Sequence, residues 1–434
     1  MKLFSPEDLN PGVQPREVLA WAMYDFANSG YTTVVLTAVF AAYFVGVVAG
    51  GHDWATFAWT LALGVSNAMV MFTMPLMGAW ADRYGAKRRL LILCTIGCVL
   101  GTAALAGVGP GAVVLGMVLV ATSNLFFAWG ESLVAAFLPE LARPSAMGRV
   151  SGWGWGLGYL GGMLALGAGL AYVLWAQSKG QPATMFVPVT MWITAGLFAL
   201  AACLSLAGLR ERTSPVSRAR EPFQWVRSWR LHGRLAWGYP DFMWLLGCAV
   251  AYQGGVAVTI MLAAIYAEQV IGFAQSETMT LIFVLNLAAA IGAFAFGYGQ
   301  DHLGHKRMLA VTLIGWILAC VLASLSTTQE AFWYAASIAG VCMGSSQSAG
   351  RAMAGLLAPP DRLAEFYGLW TFATRLASIL GPLGYGAITW ATGGNQRVAI
   401  AATAMLFLLG LVLLLPVDMA RGRQQALATP PVPA

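Results

Sequence analysis

Charge is what this 434-residue chain has least of. Asp, Glu, Lys and Arg make up 10% of it, against about 25% in soluble domains. Mean hydropathy is +0.70 and the hydrophobic fraction 59%. A chain so composed cannot clothe its own surface in polar groups, so lipid must, which excludes a soluble enzyme or a nucleic-acid binder. Histidine is also scarce: His52, His232, His302 and His305 all fall between apolar runs and are expected to be solvated. Cys94, Cys98, Cys203, Cys248, Cys320 and Cys342 lie within apolar stretches without His or carboxylate neighbours, so they read as small membrane-helix residues rather than metal ligands. No Gly-rich loop ends in Lys-Ser or Lys-Thr, so ATP drive has no support. No cofactor, no metal and no catalytic site are expected. Residues 1–16 are polar and carry three prolines, and the first apolar run is too long for a signal-peptide core.

What the chain does have is length in apolar runs. Spanning takes about 20 residues per helix, and twelve segments qualify: 17–49, 55–81, 89–108, 112–138, 147–176, 184–209, 240–270, 277–300, 308–326, 331–357, 363–391 and 396–417. Of the 24 Lys and Arg, Lys179 and Arg397 fall in odd-numbered loops, Arg351 and Arg375 within apolar runs, and the other 20 (24 − 4) in the first segment, even-numbered loops and tail. By the positive-inside rule both termini are expected in the cytoplasm. The expected organisation is a cytoplasmic segment 1–16, a six-helix bundle 17–209, a polar linker 210–238, a second bundle 239–417 and a tail 418–434. In the linker, Arg227, Arg230 and Arg234 oppose Trp225 and Trp229 on a helical wheel, which suits a helix lying on an anionic leaflet.

The two halves repeat. GAWADRYGAKRR (78–89) and GYGQDHLGHKR (297–307) match at an offset of 219, placing Gly78, Asp82, Gly85, Lys87 and Arg88 on Gly297, Asp301, Gly304, Lys306 and Arg307. Small residues let helices approach, the Asp is expected to end one helix, the second Gly permits a turn, and the basic cluster is expected to stay in the cytosol. Tyr24-Asp25-Phe26 is echoed by Pro240-Asp241-Phe242 at an offset of 216, as is Gly152 by Gly368. The pattern G-x-x-x-D-x-x-G-x-K-R resembles the loop signature of the major facilitator superfamily. The resemblance implies an all-α membrane fold of twelve helices in two pseudo-symmetric six-helix bundles, with helices three, six, nine and twelve as outer supports.

Ionisable groups at membrane depth are costly and mark sites. They are Asp25 in the first helix, Glu131 in the fourth, Arg351 in the tenth and Arg375 in the eleventh. Helical spacing adds polar neighbours: Trp21, Asp25, Asn28 and Thr32 on one stripe; Asn124 with Glu131; Gln347 with Arg351; Thr371, Arg375, Ser378 and Pro382. Trp155 and Tyr159, four apart, are candidate cavity walls. The functional reading puts a solute's carboxylate on the Arg375 fork and its amine near Asp25 or Glu131, with either acid able to carry a coupling proton. The alternative is that these charges pair and latch the bundles. By depth, Glu131 and Arg351 are expected near the cytoplasmic ends and Arg375 nearer mid-membrane. Arg351 and the paired hinge residues (Gly78, Asp82, Gly85, Arg88 and Gly297, Asp301, Gly304, Arg307) are gating candidates.

WAMYDFANSGY (21–31) resembles the W-x-x-Y-D-[FW]-A-N-S motif of the vacuolar amino-acid effluxer family of yeast autophagy and its bacterial relatives. AAFLPEL (135–141), SGWGWGLGYLGG (151–162), GSSQSAGRAMAGLLAP (344–359), EFYGLW (365–370) and LGP (380–382) follow in the family's order. That family commonly reads Q-x-x-S-R in the tenth helix; here Gly350 replaces the Ser before Arg351. The superfamily's antiporter signature has a Gly-Pro pair in the fifth helix; here Tyr159 follows Gly158, which gives antiport no support. The resemblance implies a secondary transporter of an amino-acid-like solute; two alternatives stand beside it, a bulkier cargo such as a muropeptide or siderophore, and a non-transporting sensor or assembly factor. Expected partners are a small-molecule solute, protons and the bilayer of the cytoplasmic (inner) membrane; the chain is expected to be a monomer.

Overall fold

The computed structural model describes residues 4–212 and 238–428, so the linker helix expected around Arg227–Arg234 lies outside the described residues. Twelve long helices run through the rest. In the first half they are α1 (Pro15–Tyr31), α2 (Ala55–Tyr84), α3 (Lys87–Ala104), α4 (Val113–Ala135), α5 (Met147–Ser178) and α6 (Ala183–Gly208). In the second they are α7 (Pro240–Tyr266), α8 (Gln275–Leu303), α9 (His305–Leu325), α10 (Gln329–Leu357), α11 (Leu363–Ala391) and α12 (Gln396–Leu414); a short α13 (Met419–Leu427) follows. Two π-helical stretches, Thr32–Ala38 and Phe44–Val48, carry α1 onward.

Ten of the twelve are long and apolar enough to cross a membrane by themselves. The other two, α10 and α11, have 29 residues each. Their polarity has a reason: α10 buries Ser345, Ser346, Ser348 and Arg351, and α11 buries Glu365 and Thr371. These helices spend their polar groups on protein rather than lipid. Lipid-facing helices advertise instead, as Leu93, Ile96 and Leu100 do along α3.

Helices α1–α6 pack as one bundle and α7–α12 as a second, joined chiefly by α5 against α8 and α2 against α11. Exchanging halves turns one seam into the other, so the sequence repeat is a spatial pseudo-two-fold. Repeated glycines lie in both seams. A Cβ on Gly78 would overlap the backbone of Ala364, and one on Gly368 would meet the backbone of Pro75 at 2.7 Å. A Cβ on Gly152 would overlap Ala293, and one on Gly297 would lie 3.2 Å from the Gly152 Cα. Both seams lie toward the end of the molecule that carries the termini.

Each repeated aspartate differs from expectation in an instructive way. Asp82 does not end its own helix; Gly85, at φ 57°, does. Asp82 Oδ2 instead accepts from the Glu365 N–H at 2.9 Å, capping α11 of the other bundle. Asp301 accepts from the Gly148 and Arg149 N–H groups at 2.8 and 3.1 Å, capping α5, and from Arg149 Nε at 3.0 Å. A carboxylate at a helix N-terminus answers the helix dipole. Gly304 makes the second turn at φ 92°.

The remaining hinge residues split. Lys87 is fully buried, paired with Glu140 and lying over the Phe137 ring, so it is not a solvated charge. Arg88 donates to the Leu206 carbonyl at 2.9 Å within the first bundle, while Arg307 is exposed. His305, expected in solvent, opens α9 and is buried with Nδ1 3.2 Å from Gln300 Oε1. The echo of Tyr24-Asp25-Phe26 in Pro240-Asp241-Phe242 is not one of depth: Asp241 is the second residue of α7 and forks onto Arg421 of α13, while Asp25 lies well inside α1.

Candidate functional site

Four charged side chains meet between the bundles as two ion pairs, each joining one bundle to the other. Arg351 of α10 donates through Nη1 to Asp25 Oδ2 of α1 at 2.7 Å. Its Nε donates to Ser151 Oγ at 3.2 Å and its Nη2 to the Ser151 carbonyl at 2.8 Å, both on α5. Its guanidinium carbon sits 4.7 Å from the Trp21 ring centre and 5.3 Å from that of Trp155. Every guanidinium nitrogen has a partner and two aromatic rings lie against the group, the arrangement that makes a buried cation tolerable. Gly154 makes the room: a Cβ there would overlap the Arg351 guanidinium and the Asp25 carboxylate.

The second pair is built differently. Arg375 Nη2 of α11 donates to Glu131 Oε2 of α4 at 2.7 Å. Glu131 keeps 38% of its side-chain surface open and Arg375 17%, whereas Asp25 and Arg351 keep 10% and 7%. Arg375 Nε is buried without a partner. One pair is sealed and saturated; the other is open and has unused capacity. Depth alone had grouped Glu131 with Arg351; helix packing crosses them, because α4 faces α11 and α1 with α5 faces α10.

The residues of the α1 stripe differ in their surroundings. Asn28 is buried at 5% exposure, yet neither its Oδ1 nor its Nδ2 has a partner. An orphaned buried amide costs about 1–3 kcal/mol per group, so the position is one that a ligand or water would satisfy. Thr32 turns back onto the carbonyls of Asn28 and Ser29. Trp155 Nε1 is likewise buried and unpartnered, and its ring lies 5.9 Å from that of Tyr159.

Other candidates are spent elsewhere. Asn124 Nδ2 donates to Ser66 Oγ at 3.0 Å inside the first bundle. Thr371 donates to Ser132 Oγ at 2.8 Å across the α4–α11 contact, and Ser132 donates to the Tyr367 carbonyl at 3.2 Å. Gln347 pairs with Gln253 of α7 in both directions, at 2.8 and 3.2 Å. Ser151, Gly154, Ser132 and Gln253 are contributors that sequence reasoning passed over. The alternating glycines around Ser151 were a usable signal, since such a helix must let something bulky lie against it. Gly350 has its own reason: a Cβ there would overlap the Tyr252 hydroxyl and meet Trp370 at 2.8 Å.

Charge pairs at membrane depth, two six-helix bundles and interlocked repeated hinges define a membrane transporter of the major facilitator type. The chain matches the family described as vacuole effluxer Atg22 like over residues 43–427, and it belongs to that family. It is 27% identical over 406 residues to the uncharacterized MFS-type transporter YxiO of Bacillus subtilis, covering 91% of this chain and 93% of that one. It is 24% identical over 304 residues to autophagy-related protein 22-1 of Penicillium rubens, covering 64% of this chain and 50% of that one. The chain thus spans about half the length of that fungal relative. Among solved structures, the human organic anion transporter MFSD10 superposes with a TM-score of 0.74 at 16% identity, over 95% of this chain and 100% of that one.

Proposed function

We propose that the protein moves a small zwitterionic, amino-acid-like solute across the cytoplasmic membrane by alternating access, with Glu131–Arg375 as the solute-binding pair and Asp25–Arg351 as the latch between bundles. The observation that carries this reading is the contrast between the two pairs. The open pair has an unpartnered Arg375 Nε and exposed carboxylate surface on Glu131. A solute carboxylate and Glu131 compete for the same guanidinium, so a proton arriving on Glu131 releases Arg375 to bind solute. That exchange couples one proton to one binding event without further machinery. Asn28, with a free donor and a free acceptor, supports the solute's polar groups. The family's description as a vacuole effluxer favours export. Basic residues clustered on the terminus-bearing side support placing that side in the cytoplasm, so the closed seams make this an outward-open arrangement.

The test is flux of labelled amino acids in liposomes, with and without a pH gradient. The expected outcome is gradient-stimulated flux in the wild type, and loss of that stimulation in Glu131→Gln. Flux that is indifferent to both Asp25→Asn and Glu131→Gln removes the coupling, and no flux of any amino acid removes the substrate.

A further inference from the structure

A pocket of about 690 Å³ opens at the end of the second bundle away from the termini, lined by Ile265 of α7 and by Pro382, Tyr385, Gly386, Thr389 and Trp390 of α11. Pro382, Gly386 and Thr389 follow Arg375 by seven, eleven and fourteen residues, the spacing of one helical face. At 1.5 Å per residue the pocket begins about 10 Å from Arg375 and reaches Gly386 about 16 Å along the same stripe. Its wall continues through Gly393, Gly394 and Gln396 and is mostly apolar, and two aromatic side chains mark it. The Tyr385 side chain is buried at 7% exposure, with its hydroxyl beside Thr389 but outside hydrogen-bond geometry. Trp390 is 86% exposed, an indole laid beside the opening. Aromatics at a membrane surface usually belong to an interfacial belt with their polar tips in the headgroups; a buried hydroxyl in a pocket wall is a different arrangement. The volume lies within the range of about 300–1,000 Å³ usual for small-molecule sites and is generous for a free amino acid.

We infer that this pocket is a second subsite on the solute path, which takes the apolar body of an amphipathic zwitterion whose carboxylate reaches Arg375, with Tyr385 hydrogen-bonding a polar atom on that body. The inference rests on the solute reading of Arg375 and narrows the cargo: a charged end, then a bulky, preferably aromatic group about 10 Å away, as in a short peptide with an N-terminal aromatic residue. An extended tripeptide spans about 10 Å.

Gly386 supplies a clean test, because a Cβ there meets nothing within 4 Å; Gly386→Trp fills the pocket without disturbing a packed neighbour. Binding of Trp-Gly-Gly and Gly-Gly-Gly is measured by calorimetry on the full chain in lipid nanodiscs. The wild type is expected to bind Trp-Gly-Gly at least about ten-fold more tightly, Gly386→Trp to lose that ratio while keeping its affinity for Gly-Gly-Gly, and Arg375→Ala to weaken both peptides alike. A ratio that survives Gly386→Trp, or no preference in the wild type, overturns the subsite and leaves the Arg375 reading standing. Equal binding by wild type and Arg375→Ala overturns the Arg375 reading and, with it, the inference. Should Gly386→Trp not fold, Tyr385→Phe decides: it is expected to abolish a wild-type preference for Tyr-Gly-Gly over Phe-Gly-Gly, and an unchanged preference overturns the subsite.

Discussion

Asp25 and Arg351 illustrate why a buried ion pair is read better by removing both partners than one. Taking away a single partner leaves an uncompensated charge, at about 3–5 kcal/mol. Arg351 also has Ser151 and two indole rings holding it, so Asp25→Asn strands a cation in a site with few other anions. Arg351→Gln strands the carboxylate beside Trp21. The double variant Asp25→Asn with Arg351→Gln is therefore expected to melt above either single variant, by several degrees in a thermal-shift measurement, while remaining slow in transport. A double variant less stable than both singles would mean the pair contributes net stability rather than a latch. Residue-level reasoning found all four charges from depth alone, because hydrocarbon makes each of them conspicuous. It could not assign their partners: pairing depends on which helices adjoin, and Arg side chains reach far enough to blur depth.

Helices α2, α5, α8 and α11 carry the seams, and there the repeat was more informative than any single motif. Gly78 and Gly297 were legible as close-approach positions because charge is rare and the repeat stands out against it. What they approach was not legible, since Ala364 and Gly148 lie in another half of the chain. The same limit applies to Asp82, whose partner is the start of α11 and not its own helix. A larger residue in one seam should hold it open. Gly78→Leu is expected to expose Thr371, now buried beside Ser132. In a cysteine-free background with Thr371→Cys, alkylation from the cytoplasmic side is expected to rise at least about five-fold on adding Gly78→Leu. Unchanged labelling would show that this glycine does not control the seam. Asn124 and Thr371 show the limit of a helical stripe: it names a face and cannot tell a cavity from a neighbouring helix, and here Asn124 meets Ser66 and Thr371 meets Ser132.

At the scale of the whole molecule, residues 4–10 belong to the seam as well. Phe4 is buried with its ring 5.9 Å from that of Trp153, and Leu9 pairs with Ala142. Asp8 Oδ2 accepts from Arg149 Nη1 at 2.9 Å, while Arg149 Nε holds Asp301 across the bundles. Nothing in the polar run 1–16 announced this, because composition alone says solvent and only the packed neighbour says otherwise. Arg149 therefore stands between two carboxylates, one from its own half and one from the other. If the bundles part, as the proposed alternating access requires, Asp301 leaves and Asp8 stays, so the guanidinium keeps a counter-ion through the rupture. On that reading Asp8 is a ballast charge: it lowers the cost of letting go, not the cost of holding on. Asp8→Asn should accordingly slow turnover about two- to five-fold in the liposome assay without lowering the melting temperature by more than a degree or two, whereas a brace would give up its stability first and its speed hardly at all.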